Sequence, residues 1–300
     1  MNLDEWSQRG DRVPVGDDSV FVVDTPAAER TDAAPLLVIH GFPTSSVDWA
    51  PVLPQLSARR RVVLFDLPGF GLSSKHDRPY GIASAADATA GVLEQTGLRE
   101  FDLITHDMGD TVGGELLARD MAGELTVDGK AVRIRHRILT NGSIYLDMAQ
   151  LTDAQHMLWS AADAKLSAEI GPSAEQLAVS LRETMAPQGT PTSNPGPEEL
   201  LAAAESICHD EGALLLPRLI RYLSDRRDNE ERFTGAIENH PSPLSIVWGE
   251  LDPIAVVAMA HKLAQRRTDA GLTVLEGVGH YPTIEAPGAF SAAVLGHLDD

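Results

Sequence analysis

The stretch Leu103-Ile104-Thr105-His106-Asp107-Met108-Gly109-Asp110 constrains the fold more than any other. A largely apolar run ends, x-Asp-x-Gly follows, and helical periodicity begins at once. That is the layout of a sharp strand-to-helix turn that lifts one side chain into the open. The residue at the turn is Asp107. A carboxylate attacking a carbonyl gives an anhydride and gains little. Attacking a strained or activated sp3 carbon, it gives an alkyl ester that water can cleave at the aspartyl carbonyl. Taken alone, Asp107 would serve equally well as a cap for the following helix, so the rest of the chain has to decide.

The 300 residues suffice for one large α/β domain, with or without an insert, and 43% hydrophobic residues supply a sizeable core. The net charge of −20 argues against nucleic acid and anionic membrane surfaces as partners. Cys208 is the only cysteine, which excludes an intramolecular disulfide and fits a reducing cytoplasm. It sits in a helical pattern and reads as a packed thiol. Residues 1–6 lack a basic start and an apolar core, so no signal peptide is expected there. No apolar run approaches the roughly 20 residues that span a bilayer. The histidines fall into no metal-ligand spacing, and no metal or organic cofactor is expected.

Short β-branched runs alternate with helical patterns, which predicts a mostly parallel sheet flanked by helices. Strands are expected at 20–23, 35–40, 61–66, 101–106, 135–140, 244–248 and 272–275, and helices at 46–57, 82–96, 109–122, 254–266 and 285–298. Between 143 and 232 the β signal vanishes, and 186–196 is rich in Pro, Gly, Thr and Ser. This predicts core segments 1–142 and 233–300, with 143–232 inserted as a helical lid that closes a pocket and excludes water.

Three further segments complete the pattern. Asp252 follows one predicted strand in Trp248-Gly249-Glu250-Leu251-Asp252-Pro253, and His280 follows the last one in Gly277-Val278-Gly279-His280-Tyr281-Pro282. In the order nucleophile, acid, histidine, Asp252 would orient His280, and His280 would activate the water that attacks an Asp107 ester. Glu250 competes with Asp252, which is preferred because it precedes Pro and lies deeper in the loop. The segment His40-Gly41-Phe42-Pro43 would supply the Phe42 N–H as one oxyanion donor, with the Met108 N–H as the other. His40 is expected to shape its loop. The Gly-rich turn Asp66 to Ser73 lacks a phosphate-loop ending and reads as scaffold.

With these motifs the whole chain resembles the α/β-hydrolase superfamily, in its epoxide hydrolase and haloalkane dehalogenase branch. His106-Asp107-Met108-Gly109-Asp110 and Leu139-Thr140-Asn141-Gly142 look like the mesoderm-specific-transcript hydrolase group. The resemblance implies an α/β-hydrolase fold, with an eight-stranded, mostly parallel sheet and an inserted lid. It also implies two chemistries, which differ in how the leaving group is helped. An epoxide oxygen must be protonated, and lid tyrosines do this in epoxide hydrolases. A halide needs N–H donors, which dehalogenases commonly take from Trp or Asn side chains. Met108 and Phe42 carry no side-chain N–H, and Met108 cannot hold a carboxylate as the Arg of fluoroacetate-type enzymes does.

Tyr222 is the expected proton donor, because Leu215, Leu219 and Tyr222 share one helical stripe. The family's second lid tyrosine is missing between Leu146 and Arg221, and Tyr145 is the substitute considered. His106, Asn141, His156 and Trp159 are candidate pocket residues, with Asn141 also readable as a loop-shaping amide. Asp110 is expected to favour the helix N-terminus electrostatically. The function expected is epoxide hydrolysis, with a small hydrophobic epoxide and water as the partners. Haloalkane dehalogenation leaning on Trp159, an esterase-like activity and a non-enzymatic scaffold are the alternatives. Whether the chain forms a homodimer is left open.

Overall fold

In the central strands, alternate residues feed opposite cores. Leu37 and Ile39 join one hydrophobic cluster and Leu36 and Val38 the other; Trp248 and Val247 divide in the same way. A strand's side chains alternate between faces, so a sheet covered on both sides must be apolar on both. This is why these runs read as continuous rather than alternating. The structure is a computed structural model that describes residues 1–30, 32–161 and 163–299.

Eight strands form the main sheet: β1 (Asp11–Val15), β2 (Asp18–Thr25), β3 (Leu36–Ile39), β4 (Val62–Phe65), β5 (Glu100–His106), β6 (Arg133–Thr140), β7 (Leu244–Gly249) and β8 (Gly271–Leu275). Their order is β1-β2-β4-β3-β5-β6-β7-β8. The β1–β2 hairpin and the β2–β4 pair are antiparallel, and all other pairs are parallel. This is the α/β-hydrolase fold expected from the motifs. Helices Ile82–Thr96, Met108–Met121, Ala258–Arg266 and Pro287–Asp299 match four of the five expected in the core. The segment 46–57 instead splits into a 3-10 turn, Ser46–Trp49, and a single turn, Leu53–Leu56, because Pro51 and Pro54 cannot donate within a continuous helix. Strand β1 was not expected. Pro14 and flanking charges mask it, and both are tolerated because it is an edge strand.

Between β6 and β7 the described residues form helices and loops, including Asp153–Ser160, Ala174–Glu183, Pro197–Cys208, Tyr222–Asp228 and Glu230–Asn239. Residue 232 lies inside the last of these. That helix packs on Met108–Met121, with Arg232 paired to Glu115 at 2.6 Å. The expected stripe of Leu215, Leu219 and Tyr222 is buried, although the chain breaks between helices Leu216–Leu219 and Tyr222–Asp228. No described helix is long and apolar enough to cross a membrane.

Candidate active site

The parallel register brings the C-terminal ends of β3, β5, β6, β7 and β8 to one edge of the sheet, and the singled-out loops start there. At the end of β5, Asp107 turns the chain with φ 51° and ψ −115°, a positive-φ conformation that costs of order 1–3 kcal/mol and persists only where neighbours enforce it. They do so by close approach. A Cβ on Gly109 would sit 2.5 Å from the Ile39 carbonyl, and one on Gly41 would sit 2.6 Å from the Asp107 Cβ. The Asp107 side chain makes no capping bond to the helix it precedes, so the capping reading fails. Its Oδ1 instead accepts the Phe42 N–H at 2.8 Å. Among the described residues, the Met108 N–H makes no bond to the Asp107 carboxylate. Of the two expected oxyanion donors, only Phe42 is engaged.

The other carboxylate oxygen, Oδ2, faces His280 Nε2 at 3.7 Å. On the far side of the ring, His280 Nδ1 hydrogen-bonds Asp252 Oδ2 at 2.8 Å. Asp252 is fixed by four donors in all: His280, the Asn141 amide at 2.7 Å, and the Ile254 and Ala255 N–H groups on Oδ1 at 2.8 and 2.9 Å. All three of Asp107, His280 and Asp252 are buried. Burial pulls the His280 pKa down, but the charge and hydrogen bond of Asp252 outweigh it. With Asp107 and Glu285 adding to them, they hold it up at about 9. Glu250 is turned away and accepts the Gly277 N–H.

Several expected pocket residues do other work. Asn141 does not face the cavity. At φ 55° it ties β6 to the acid loop, donating to Asp252 and to the Gly279 carbonyl and accepting from Thr140 and the Gly249 N–H. His106 bonds the His280 carbonyl through Nε2 at 2.8 Å. Burial, and next the adjacent His280, pull its pKa down to about 4, so it is a neutral strut behind the base. His156 is exposed on a lid helix whose neighbours Gln155 and Leu158 line the cavity. Trp159 spends its indole N–H on Ser224 Oγ at 2.9 Å. Tyr145 donates to Glu238 at 2.8 Å under the Lys262 ammonium and lies off the cavity. Asp110 is buried and hydrogen-bonded to Thr105. Burial foremost, together with the Asp107 charge, raises its pKa well above the usual carboxylate range. That shift works against the anion expected at the helix terminus.

Tyr222 reaches the site from the lid side. Its ring packs on Phe42 at 5.6 Å between centroids, with the Arg226 guanidinium 5.0 Å from its face. Burial and then the Asp107 charge raise its hydroxyl pKa. Tyr281 escaped the sequence reading although it adjoins His280. Its ring stands edge-on to His280 at 5.0 Å and faces the cavity. Glu285 was missed too. Its buried carboxylate gathers the Gly279, Tyr281 and Ala186 N–H groups and the Ser193 hydroxyl, which clamps the 186–196 loop onto the histidine loop. His40 and Asp66 are scaffold, as expected. Leu67 donates to His40 Nε2, and the Asp66 carboxylate accepts the Ser46 and Leu72 N–H groups.

A cavity of about 290 Å³ lies between the helices inserted after β6 and the sheet edge. Phe42, Pro43, His280 and Tyr281 form its floor, and Leu158, Leu177, Leu181 and Leu216 are among its apolar lid walls. No Lys, Arg, Asp or Glu is among the residues lining it. Such a volume holds a molecule of roughly ten to twenty heavy atoms, and the lining suits an apolar one. Among the described residues no group of His, Cys, Asp and Glu is arranged to hold a metal ion. Of this constellation His280 and Tyr281 line the apolar space, while Asp107 stands behind the His280 ring and Tyr222 behind Phe42, outside its lining.

A family model described as the alpha/beta hydrolase family matches residues 36–293. The protein LipZ of Mycobacterium tuberculosis is 35% identical over 301 residues, covering 99% of this chain and 98% of that protein. The mesoderm-specific transcript homolog protein of Homo sapiens is 30% identical over 297 residues, covering 94% and 82% respectively. Among solved structures, a 2-hydroxy-6-oxo-6-phenylhexa-2,4-dienoate hydrolase from Rhodococcus superposes with a TM-score of 0.74 at 18% identity, covering 97% of this chain and 98% of that one. At that identity the likeness shows the fold.

Proposed function

The chain belongs to the α/β-hydrolase family, and from that premise we propose that it hydrolyses small apolar epoxides to vicinal diols through an ester on Asp107. The observation that carries the reading is the state of the Asp107 carboxylate. One oxygen is held by the Phe42 N–H and the other is free to face the site beside His280. In the first step Oδ2 attacks a ring carbon, and Tyr222 gives its proton to the departing oxygen. In the second, His280, neutral once the ester has cancelled the Asp107 charge, takes a proton from water, which attacks the ester carbonyl while the Phe42 N–H bonds the developing oxyanion. The bond from the aspartyl carbon to the alkyl oxygen breaks, His280 returns the proton to the alkoxide, and the proton of the new Asp107 carboxyl goes back to Tyr222. Asp252 keeps the imidazole oriented, and Asn141 and His106 keep that pair in place. The lid, residues 143–232 with the helix Glu230–Asn239 as its hinge to the core, excludes water from the first step.

The side chains favour the halide alternative less. Trp159, its best side-chain donor, is bonded to Ser224 outside the cavity, and Phe42 and Met108 offer no side-chain N–H. The uncharged lining likewise offers no clamp for a haloacid carboxylate. The test is diol formation from a panel of aryl and alkyl epoxides by the wild type and by Asp107→Ala in parallel. Diol formed only by the wild type is expected. Equal product from both would refute the reading.

A further inference from the structure

One buried acid beside the site is left unused by the mechanism above. Asp48 lies in the Ser46–Trp49 turn and is buried; its Oδ2 is hydrogen-bonded to the Thr44 hydroxyl, and its Oδ1 has no partner. An ionised carboxylate with an orphan oxygen in such surroundings is costly, whereas a neutral carboxyl is far less so. The Thr44 hydroxyl also favours ionisation of the Tyr281 hydroxyl, and Tyr281 lines the cavity next to His280. Asp48, Thr44 and Tyr281 therefore stand in order between a buried acid and the reaction space. At the cavity end the charge of Asp107 and the hydroxyl of Tyr222 are both felt by Tyr281.

We infer that Tyr281 is a second proton donor to the epoxide oxygen, resupplied from Asp48 through Thr44, in place of the missing second lid tyrosine. The inference rests on the epoxide reading of the site. The oxygen takes one proton: as the C–O bond of the ring breaks and the Asp107 ester forms, that proton comes from the Tyr281 O–H while Tyr222, the other source, keeps its own and hydrogen-bonds the oxygen. The Thr44 proton moves to Tyr281, and the Asp48 proton moves to Thr44. The new alcohol gains one proton and Asp48 becomes a carboxylate. Ester hydrolysis then releases one proton as it regenerates the Asp107 carboxylate, and this proton restores Asp48. Tyr281 is the catalytic residue of the chain, and Thr44 and Asp48 position and recharge it. Burial foremost brings the Asp48 pKa up to about 7, with the Asp66 charge also raising it and Thr44 and His280 opposing. The acid is thus loaded on the acidic side of neutrality.

The test compares wild type, Tyr281→Phe, Asp48→Asn, Thr44→Val and Thr44→Ser with styrene oxide on both sides of pH about 7. Tyr281→Phe is expected to lower kcat by about tenfold or more with KM little changed, within the range of general-acid effects. Asp48→Asn keeps the shape but has no proton to give. It should lower kcat and abolish the fall in rate above neutrality. Thr44→Val should do the same, and Thr44→Ser should recover most of the loss. Tyr281→Phe and Asp48→Asn both at wild-type kcat, with the wild-type pH limb intact, would overturn the inference. Infrared difference spectra of wild type against Asp48→Asn form a second arm that needs no substrate. A protonated-carboxyl band of Asp48, beyond those the two proteins share, is expected on the acidic side in the wild type and is lost in the variant. Its absence from the wild type overturns the inference. Absence of Asp107-dependent diol from the wild type sinks the epoxide reading instead, and the infrared result then decides the acid chain alone.

Discussion

Replacing Asn141 separates a strut of the acid from a pocket residue. Its amide donates to Asp252 Oδ2 at 2.7 Å and its carbonyl oxygen accepts the buried Gly249 N–H at 3.2 Å, all at φ 55°. In Asn141→Ala the charged hydrogen bond is lost, at about 1.5–3 kcal/mol, and the Gly249 N–H is left without its partner, at about 1–3 kcal/mol. Alanine at positive φ adds about 1–2 kcal/mol that asparagine tolerates better. A loss of about 4 kcal/mol or more is therefore expected in urea unfolding of Asn141→Ala. Asn141→Gly loses the same hydrogen bonds without the backbone strain and should recover about 1 kcal/mol of that loss. Both variants should turn epoxides over more slowly with KM nearly unchanged, because the amide steadies Asp252 and does not face the cavity. A stability loss below about 1 kcal/mol, or a rise in KM without a fall in kcat, would refute this reasoning and return Asn141 to the substrate.

Substituting His280 by Gln should slow the first step and stop the second, so that the epoxide's mass accumulates on the Asp107 peptide; an unmodified peptide after long incubation would contradict this. In the fold His280 ionises at about 9 against 6.5 in the unfolded chain. The fold thus favours the cation, and this contribution is fully present below about pH 6.5 and lost as pH rises through about 9. The urea midpoint should fall across that window in the wild type and fall less in Asp252→Asn; parallel curves would count against the pairing. Trp159→Phe and Tyr145→Phe should both keep wild-type kcat and KM, since the two side chains bond Ser224 and Glu238 off the cavity. A tenfold loss of kcat in either would restore it to the site.

What the sequence disclosed was what strong local rules govern. Continuous apolar strands, an x-Asp-x-Gly turn and loops that follow strands on one sheet edge locate Asp107, Asp252 and His280 without any knowledge of packing. Periodicity carried Tyr222 inward although its helix proved to be broken. Which polar side chains around the acid and base face the cavity could not be read in this way. Asn141, His106 and Trp159 are polar residues near the right place, yet each is satisfied by a partner more than sixty positions away, and such pairings leave no trace in spacing. Strand β1 was hidden for a different reason, since an edge position relaxes the very rules by which strands are recognised. Tyr281 was legible in principle, being next to His280. Thr44 and Asp48 share the turn after His40-Gly41-Phe42-Pro43, but only packing shows that this turn meets Tyr281.

The charge arrangement explains how one imidazole serves two steps. In the resting protein His280 lies between two carboxylates, Asp252 at 2.8 Å and Asp107 at 3.7 Å, and together they outweigh the burial that would otherwise neutralise it. As a cation it cannot take a proton, and during ring opening none is asked of it. Its charge instead steadies Asp107 as the nucleophile. On the ester reading, alkylation cancels the Asp107 charge while burial is unchanged or deepened by the occupied cavity. One of the forces holding the proton on His280 then vanishes, and the pKa falls towards neutrality when a base is first needed. Asp252, with its four donors, remains ionised throughout and stabilises the imidazolium that forms as water attacks. Hydrolysis restores the Asp107 carboxylate and with it the resting charge of the ring. On that reading the covalent state of Asp107 would set the protonation of its own base, with no movement of the lid required for the switch.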